Sequence, residues 1–130
     1  MQLTKEQAII EHRKMWNWIA DQYKNRTDLL NETEDVEGLK KCYIDTVFPN
    51  ERVVCNCFCC EYDGKFGGIC DQCPVEWNSV CGINMCLYKD YDKKNLYAEL
   101  FDVNHDGCFN CDFPYCADLA RRIANLPERK

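Results

Sequence analysis

Twelve cysteines in a chain of 130 residues, roughly one position in eleven, put it at the density of small scaffolds held together through sulfur. Two architectures meet that description: a disulfide framework or a metal-bound one. The first residues, Met1-Gln2-Leu3-Thr4-Lys5-Glu6, have no apolar signal-peptide core. No apolar run approaches the ~20 residues of a membrane span. The expected setting is therefore a reducing cytoplasm without membrane contact, where clustered thiols more often hold metal than pair with each other. Export by another route, or removal of a signal, would turn the same cysteines into disulfides.

The local spacing favours metal. Cys57-Phe58-Cys59-Cys60 contains a C-x-x-C, and nine residues later Cys70-Asp71-Gln72-Cys73 supplies another. The short loop in each pair lets two thiolates face one ion while backbone amides donate to the sulfurs. Two pairs close a tetrahedral site with Zn–S distances of ~2.3 Å. Gly64, Gly67 and Gly68 permit the reversal between them. Cys57, Cys60, Cys70 and Cys73 are thus the expected zinc ligands, with an iron–sulfur centre as the alternative for the same donors. A third C-x-x-C, Cys108-Phe109-Asn110-Cys111, could hold a second zinc with partners from Cys81, Cys86 and Cys116. Cys42, Cys55 and Cys59 have no such pairing, and isolated cysteines commonly serve as small core residues.

Charge narrows the partners. There are 22 acidic against 16 basic side chains, a formal net charge of -6. One four-thiolate zinc site would take this to about -8. Residues 51–81 offer only Arg52 and Lys65 as cations, against Glu51, Glu61, Asp63, Asp71 and Glu76. Phosphate binding needs clustered basic residues, so a zinc-dependent nucleic-acid-binding protein is the rival reading and not the first. Asp102-Val103-Asn104-His105-Asp106-Gly107 begins like a calcium-binding EF-hand loop, with candidate ligands Asp102, Asn104 and Asp106. The twelfth position, where the bidentate carboxylate belongs, is Phe113. Calcium is not expected, and a solvated turn explains the same residues. No catalytic constellation is visible. His12 and His105 are the only histidines, and nothing pairs either with a thiol. The order of a zinc deaminase motif, a phosphate loop and H-E-x-x-H are all absent.

Periodicity predicts helices. Thr4 and Gln7 form a capping box for a helix over 5–23. Ala8, Ile9, His12, Met15, Trp16, Ile19, Ala20 and Tyr23 fall on one stripe, which reads as core. His12 lies on that stripe and is expected as a buried, hydrogen-bonded imidazole. Ile10 and Trp18 lie off it, so Trp18 is either a contact residue or covered by a second layer. Residues 24–35 read as a polar loop, 35–47 as a second helix with Gly38 inside it, and Arg52-Val53-Val54 as a short strand. Trp77 is placed over the metal loops. Residues 87–101 read as a partly helical segment. The last helix is placed from Asp112, with Pro114 in its first turn and Phe113, Cys116, Ala117, Ala120, Ile123 and Ala124 inward.

Several of these stretches together resemble small, cysteine-rich proteins encoded by bacteriophages and prophages of gut bacteria. The resemblance is carried by Leu3 to Ala20, by Cys57-Phe58-Cys59-Cys60-Glu61-Tyr62 with Gly68, Cys70, Cys73-Pro74-Val75 and Trp77, and by Ala117 to Arg129. It covers about half of the chain. It implies a phage-encoded protein acting in the host cytoplasm, with metal held by residues like Cys57, Cys60, Cys70 and Cys73. Cys42, Cys55, Cys108, Cys111, Cys116 and an insertion around 103–111 depart from the pattern.

The expected fold is one α-rich domain, with helical parts at 1–48 and 87–130 packed around a zinc-bound Cys-rich region at 49–86 that contains little β structure. The expected function is a non-catalytic, zinc-stabilised module that binds a host or phage protein.

Overall fold

The computed structural model describes residues 1–33, 35–53, 56–63, 73–76, 96, 99–100 and 112–128. Five helices have both ends among them: α1 (Lys5–Asn25), α2 (Leu29–Glu32), α3 (Val36–Val47), α4 (Phe58–Asp63) and α5 (Phe113–Ala124). The α-rich expectation holds for these residues.

The helix starts follow from side-chain caps that answer otherwise unsatisfied amides. Thr4 Oγ1 accepts the Gln7 N–H at 3.1 Å, and Gln7 Oε1 accepts the Thr4 N–H at 2.9 Å. Asp35 caps α3 by accepting the Gly38 N–H at 3.1 Å, and Asp112 caps α5 through the Tyr115 N–H at 3.1 Å. Pro114 sits at the start of α5, where no amide hydrogen is needed.

α1 is the central column. Its buried face is the predicted stripe with Gln22 added, and it packs most extensively on α5, then on α4 and α3. Trp16, Met15, Ile19 and Tyr23 meet Leu39, Phe58, Val75, Leu100, Leu119 and Ile123 in one core. Each such side chain contributes about 1.5–3 kcal/mol when fully buried. Leu119, absent from the predicted inner face of α5, is fully buried.

Two expectations need correction, and one open alternative is decided. The stretch 24–35 is not simply a loop: α1 runs on to Asn25, Arg26 adopts a left-handed φ of 49°, and α2 forms one turn. Thr33 closes that turn, its N–H and its hydroxyl both donating to the Leu29 carbonyl. Gly38 then lets α3 pass close by, since a Cβ there would stand 3.0 Å from the Thr33 Cβ. Second, Arg52 and Val53 form no strand; Val53 instead opens a turn, its carbonyl accepting the Asn56 N–H at 2.9 Å. Among the described residues the only β pairing is the isolated antiparallel bridge between Val75 and Glu128. Of the two alternatives for Trp18, the structure favours the second layer: Trp18 is half-buried against Tyr43, with ring centroids 5.5 Å apart. It belongs to an aromatic row that continues through Phe58 to Phe48.

Leu96, Glu99 and Leu100 are helical, as expected for 87–101; the remainder of that segment lies outside the described residues, with Val54 and Trp77. Among the described residues no helix is long and apolar enough to cross a membrane.

Candidate metal centre

The sulfur-rich region begins with a reversal. Asn56 takes a left-handed φ of 49°, a conformation asparagine tolerates better than most residues. Cys57 follows and caps α4 from its N-terminal side. Its carbonyl accepts the Glu61 N–H at 2.9 Å, and its Sγ accepts the Cys60 N–H at 3.4 Å. Phe58 anchors this turn by packing its ring edge-on against Tyr43 and Phe48.

A second segment brings Cys73. The Glu76 N–H donates to the Pro127 carbonyl at 2.9 Å beside the Val75–Glu128 bridge, tying 73–76 to the chain that leaves α5. Cys73 is thereby buried next to α4. The thiols meet in a row: Cys57 is in hydrogen-bonding reach of Cys59 and Cys60, and Cys59 also reaches Cys73. All four are buried and none is in a disulfide.

Their surroundings divide their protonation. The Cys59 and Cys60 thiols donating to Cys57 hold it well below the ordinary thiol range, against burial, with further help from the Lys40 ammonium and the Cys60 amide. Cys59 moves well above that range because it donates to Cys57 and Cys73 and is buried. Lys40 reaches this core from α3; it is 4% exposed and pairs with Glu37 at 3.1 Å. His12 approaches from α1. Burial pushes its imidazole down, and Cys57 and the Ile123 carbonyl only partly oppose this.

Of the predicted ligands, Cys57 and Cys60 stand side by side, and Cys73 joins them through Cys59. Cys70, Cys108 and Cys111 lie outside the described residues, as do Cys55, Cys81, Cys86, Asp102, Asn104, Asp106 and the glycines at 64, 67 and 68. Cys116 is buried on α5 and Cys42 is half-buried on α3. Sequence reasoning left Cys59 unassigned, although it stands at the centre of the row. Its position inside a C-x-x-C was the available signal.

The donors suit a soft divalent ion, since the sulfurs are adjacent and one already accepts a backbone amide. Among the described residues no group of three or more His, Cys, Asp or Glu side chains is gathered as a metal would require. A closed four-sulfur site from this row therefore needs a further donor from outside the described residues or a rearrangement of its thiols. No protein-family model matches the chain, and it matches no curated protein and no solved structure.

Proposed function

We propose that this protein is a non-catalytic, zinc-stabilised protein-interaction module, phage-encoded and acting in the host cytoplasm on a host or phage protein. The observation that carries the reading is the buried row Cys60–Cys57–Cys59–Cys73 beneath α1 and α3. Cys57, a buried thiol lowered by neighbouring donors, is poised to become a thiolate ligand, and metal binding at such a place adds directly to folding free energy. The short α4 and the isolated Val75–Glu128 bridge offer little regular structure of their own, which is where coordinate bonds contribute most.

A role without catalysis fits the imidazole of His12. His12 is held by a main-chain carbonyl in the core and is not placed at an open cleft. The net charge of -6 suits a basic cleft on a partner, including one that ordinarily binds nucleic acid, as an inhibitor of a host defence factor would require.

The test is elemental analysis with a thiol count on protein purified under reducing conditions. About one zinc per chain, with melting lowered by a chelator, supports the reading. A metal-free chain whose melting ignores both zinc and chelator overturns it. Gel shifts with single- and double-stranded DNA at low salt address the rival: tight, salt-sensitive binding would replace protein interaction with nucleic-acid binding.

A further inference from the structure

We propose that the cleft between the start of α1 and the end of α3 is a docking site for an arginine side chain that a partner protein projects from an apolar surface. This deepens the protein-interaction part of the reading above and rests on it, but not on the zinc.

The cleft encloses about 390 Å³, and Leu3, Gln7, Glu11, Phe48 and Glu51 belong to its wall. That volume falls in the range of sites that take a small group. Leu3 and Phe48 are partly buried and packed against the core, so the apolar part of the wall is formed before anything binds. The two carboxylates keep acceptor capacity. Glu11, with 18% of its side chain exposed, has the Lys14 Nζ at 3.8 Å, a loose ion pair with a side chain that extends into solvent. Glu51 shares the Met1 ammonium, at 3.4 Å, with Glu61 at 3.5 Å. A carboxylate offers about four lone-pair sites, so both have room for a further cation.

The surroundings point to a protein. Among the described residues four large apolar side chains stand well out in solvent: Ile10, Val47, Tyr62 and Tyr115. Three of them are chain neighbours of this site, Ile10 of Glu11, Val47 of Phe48, and Tyr62 of Glu61. Ile10 also stands three residues after Gln7, on the same side of α1. Exposed apolar side chains gathered at one place mark an interaction surface.

Charge complementarity selects the occupant. An acidic, part-apolar cleft on a chain of net charge -6 fits a cation on a hydrocarbon stem, with apolar neighbours against Ile10 and Val47. Arginine meets this better than lysine. Its guanidinium presents a planar fork to a carboxylate, stacks on an aromatic face and is weakly hydrated, whereas the lysine ammonium is compact and strongly hydrated. Arginine is also common among the side chains that anchor an interface in a pocket.

The experiment follows the backbone amide NMR shifts of the full chain, titrated with N-acetyl-leucyl-arginyl-leucinamide and with the same peptide carrying lysine or citrulline in place of arginine. Shifts are expected at Gln7, Ile10, Glu11 and Glu51, with the neutral citrulline peptide about tenfold weaker. Glu11→Gln, which removes the charge and keeps the shape, should weaken the arginine peptide about fivefold. Equal binding of the citrulline or lysine peptide, or no shifts at these residues by about 10 mM peptide, overturns the proposal. So does a chain that sediments as a dimer until Ile10→Ser is introduced, since the face then belongs to a second copy. If the spectrum of Glu11→Gln shows an unfolded chain, the citrulline comparison on the unsubstituted chain decides. Zinc is measured on the same sample. A zinc-free chain that prefers the arginine peptide removes the metal reading and leaves the cleft; a zinc-loaded chain that ignores the peptide removes the cleft and leaves the metal reading.

Discussion

The Nε2 of His12 in α1 donates to the Ile123 carbonyl in α5 across 3.0 Å, joining positions 111 apart in the chain. A carbonyl only accepts, so the bond fixes the tautomer with its hydrogen on Nε2. Both residues are buried, and the bond ties the central column to the helix it packs on most.

Replacing His12 with alanine removes this donor, leaves the Ile123 carbonyl buried without it, and opens a void. The expected loss is about 2–4 kcal/mol of unfolding free energy in denaturant titrations. His12→Gln, which can still reach with an amide, should lose less than His12→Ala; equal losses would remove the hydrogen bond from the account.

The same imidazole sets a pH dependence. Burial is the main cause of its lowered pKa in the folded chain, with Arg13 and Lys40 adding to it. The unfolded chain therefore takes up the proton more readily. The contribution is fully present above the unfolded value of about 6.5 and is lost as pH falls below it toward the folded value. Denaturant midpoints should fall from pH 7 to pH 5.5, and His12→Gln should flatten the slope. A midpoint that rises over that interval would contradict the assignment.

Arg121 on α5 grips α1 at the surface, with one nitrogen 2.7 Å from Asn17 Oδ1 and another 2.8 Å from Asp21 Oδ1. Arg121 and Asp21 are both well exposed, so Arg121→Ala should cost only about 0.2–1 kcal/mol. Chemical denaturation in urea at rising sodium chloride should show that cost shrinking.

Burial orders the described thiols by reactivity. Cys42 is partly exposed on α3, whereas Cys57, Cys59, Cys60, Cys73 and Cys116 are buried. Brief alkylation of the native chain, read by peptide mapping, should label Cys42 well ahead of those five. Early labelling of Cys57 would indicate an open sulfur row.

What could be read in the sequence was local. Thr4 with Gln7, Asp35 ahead of Gly38, and Asp112 with Pro114 place three helix starts because a cap acts within its own first turn. The α1 stripe was legible because a single long helix repeats its burial pattern several times. α2 was hidden, since its turn is closed by Thr33 and accommodated by Gly38, a fit between segments that composition does not encode. Of the strand expected at 52–54, Arg52 and Val53 form no part, because β-branched residues need a partner strand and the Val53 carbonyl accepts the Asn56 N–H instead. The C-x-x-C pairs pointed to Cys57, Cys60 and Cys73. That Cys59 links them depends on how the tethered segment 73–76 approaches α4, a tertiary relationship no spacing rule contains.

Because α1 and α5 are the most extensive partners among the described helices and α5 follows α1, α2, α3 and α4 in the chain, the ribosome makes the apolar stripe long before its cover. Met15, Trp16 and Ile19 stay without α5 until its residues emerge, so every premature stop upstream of it leaves a sticky fragment. Expression yield in cells should therefore hinge on the last helix, and trimming into α5 should produce aggregates instead of a smaller folded protein.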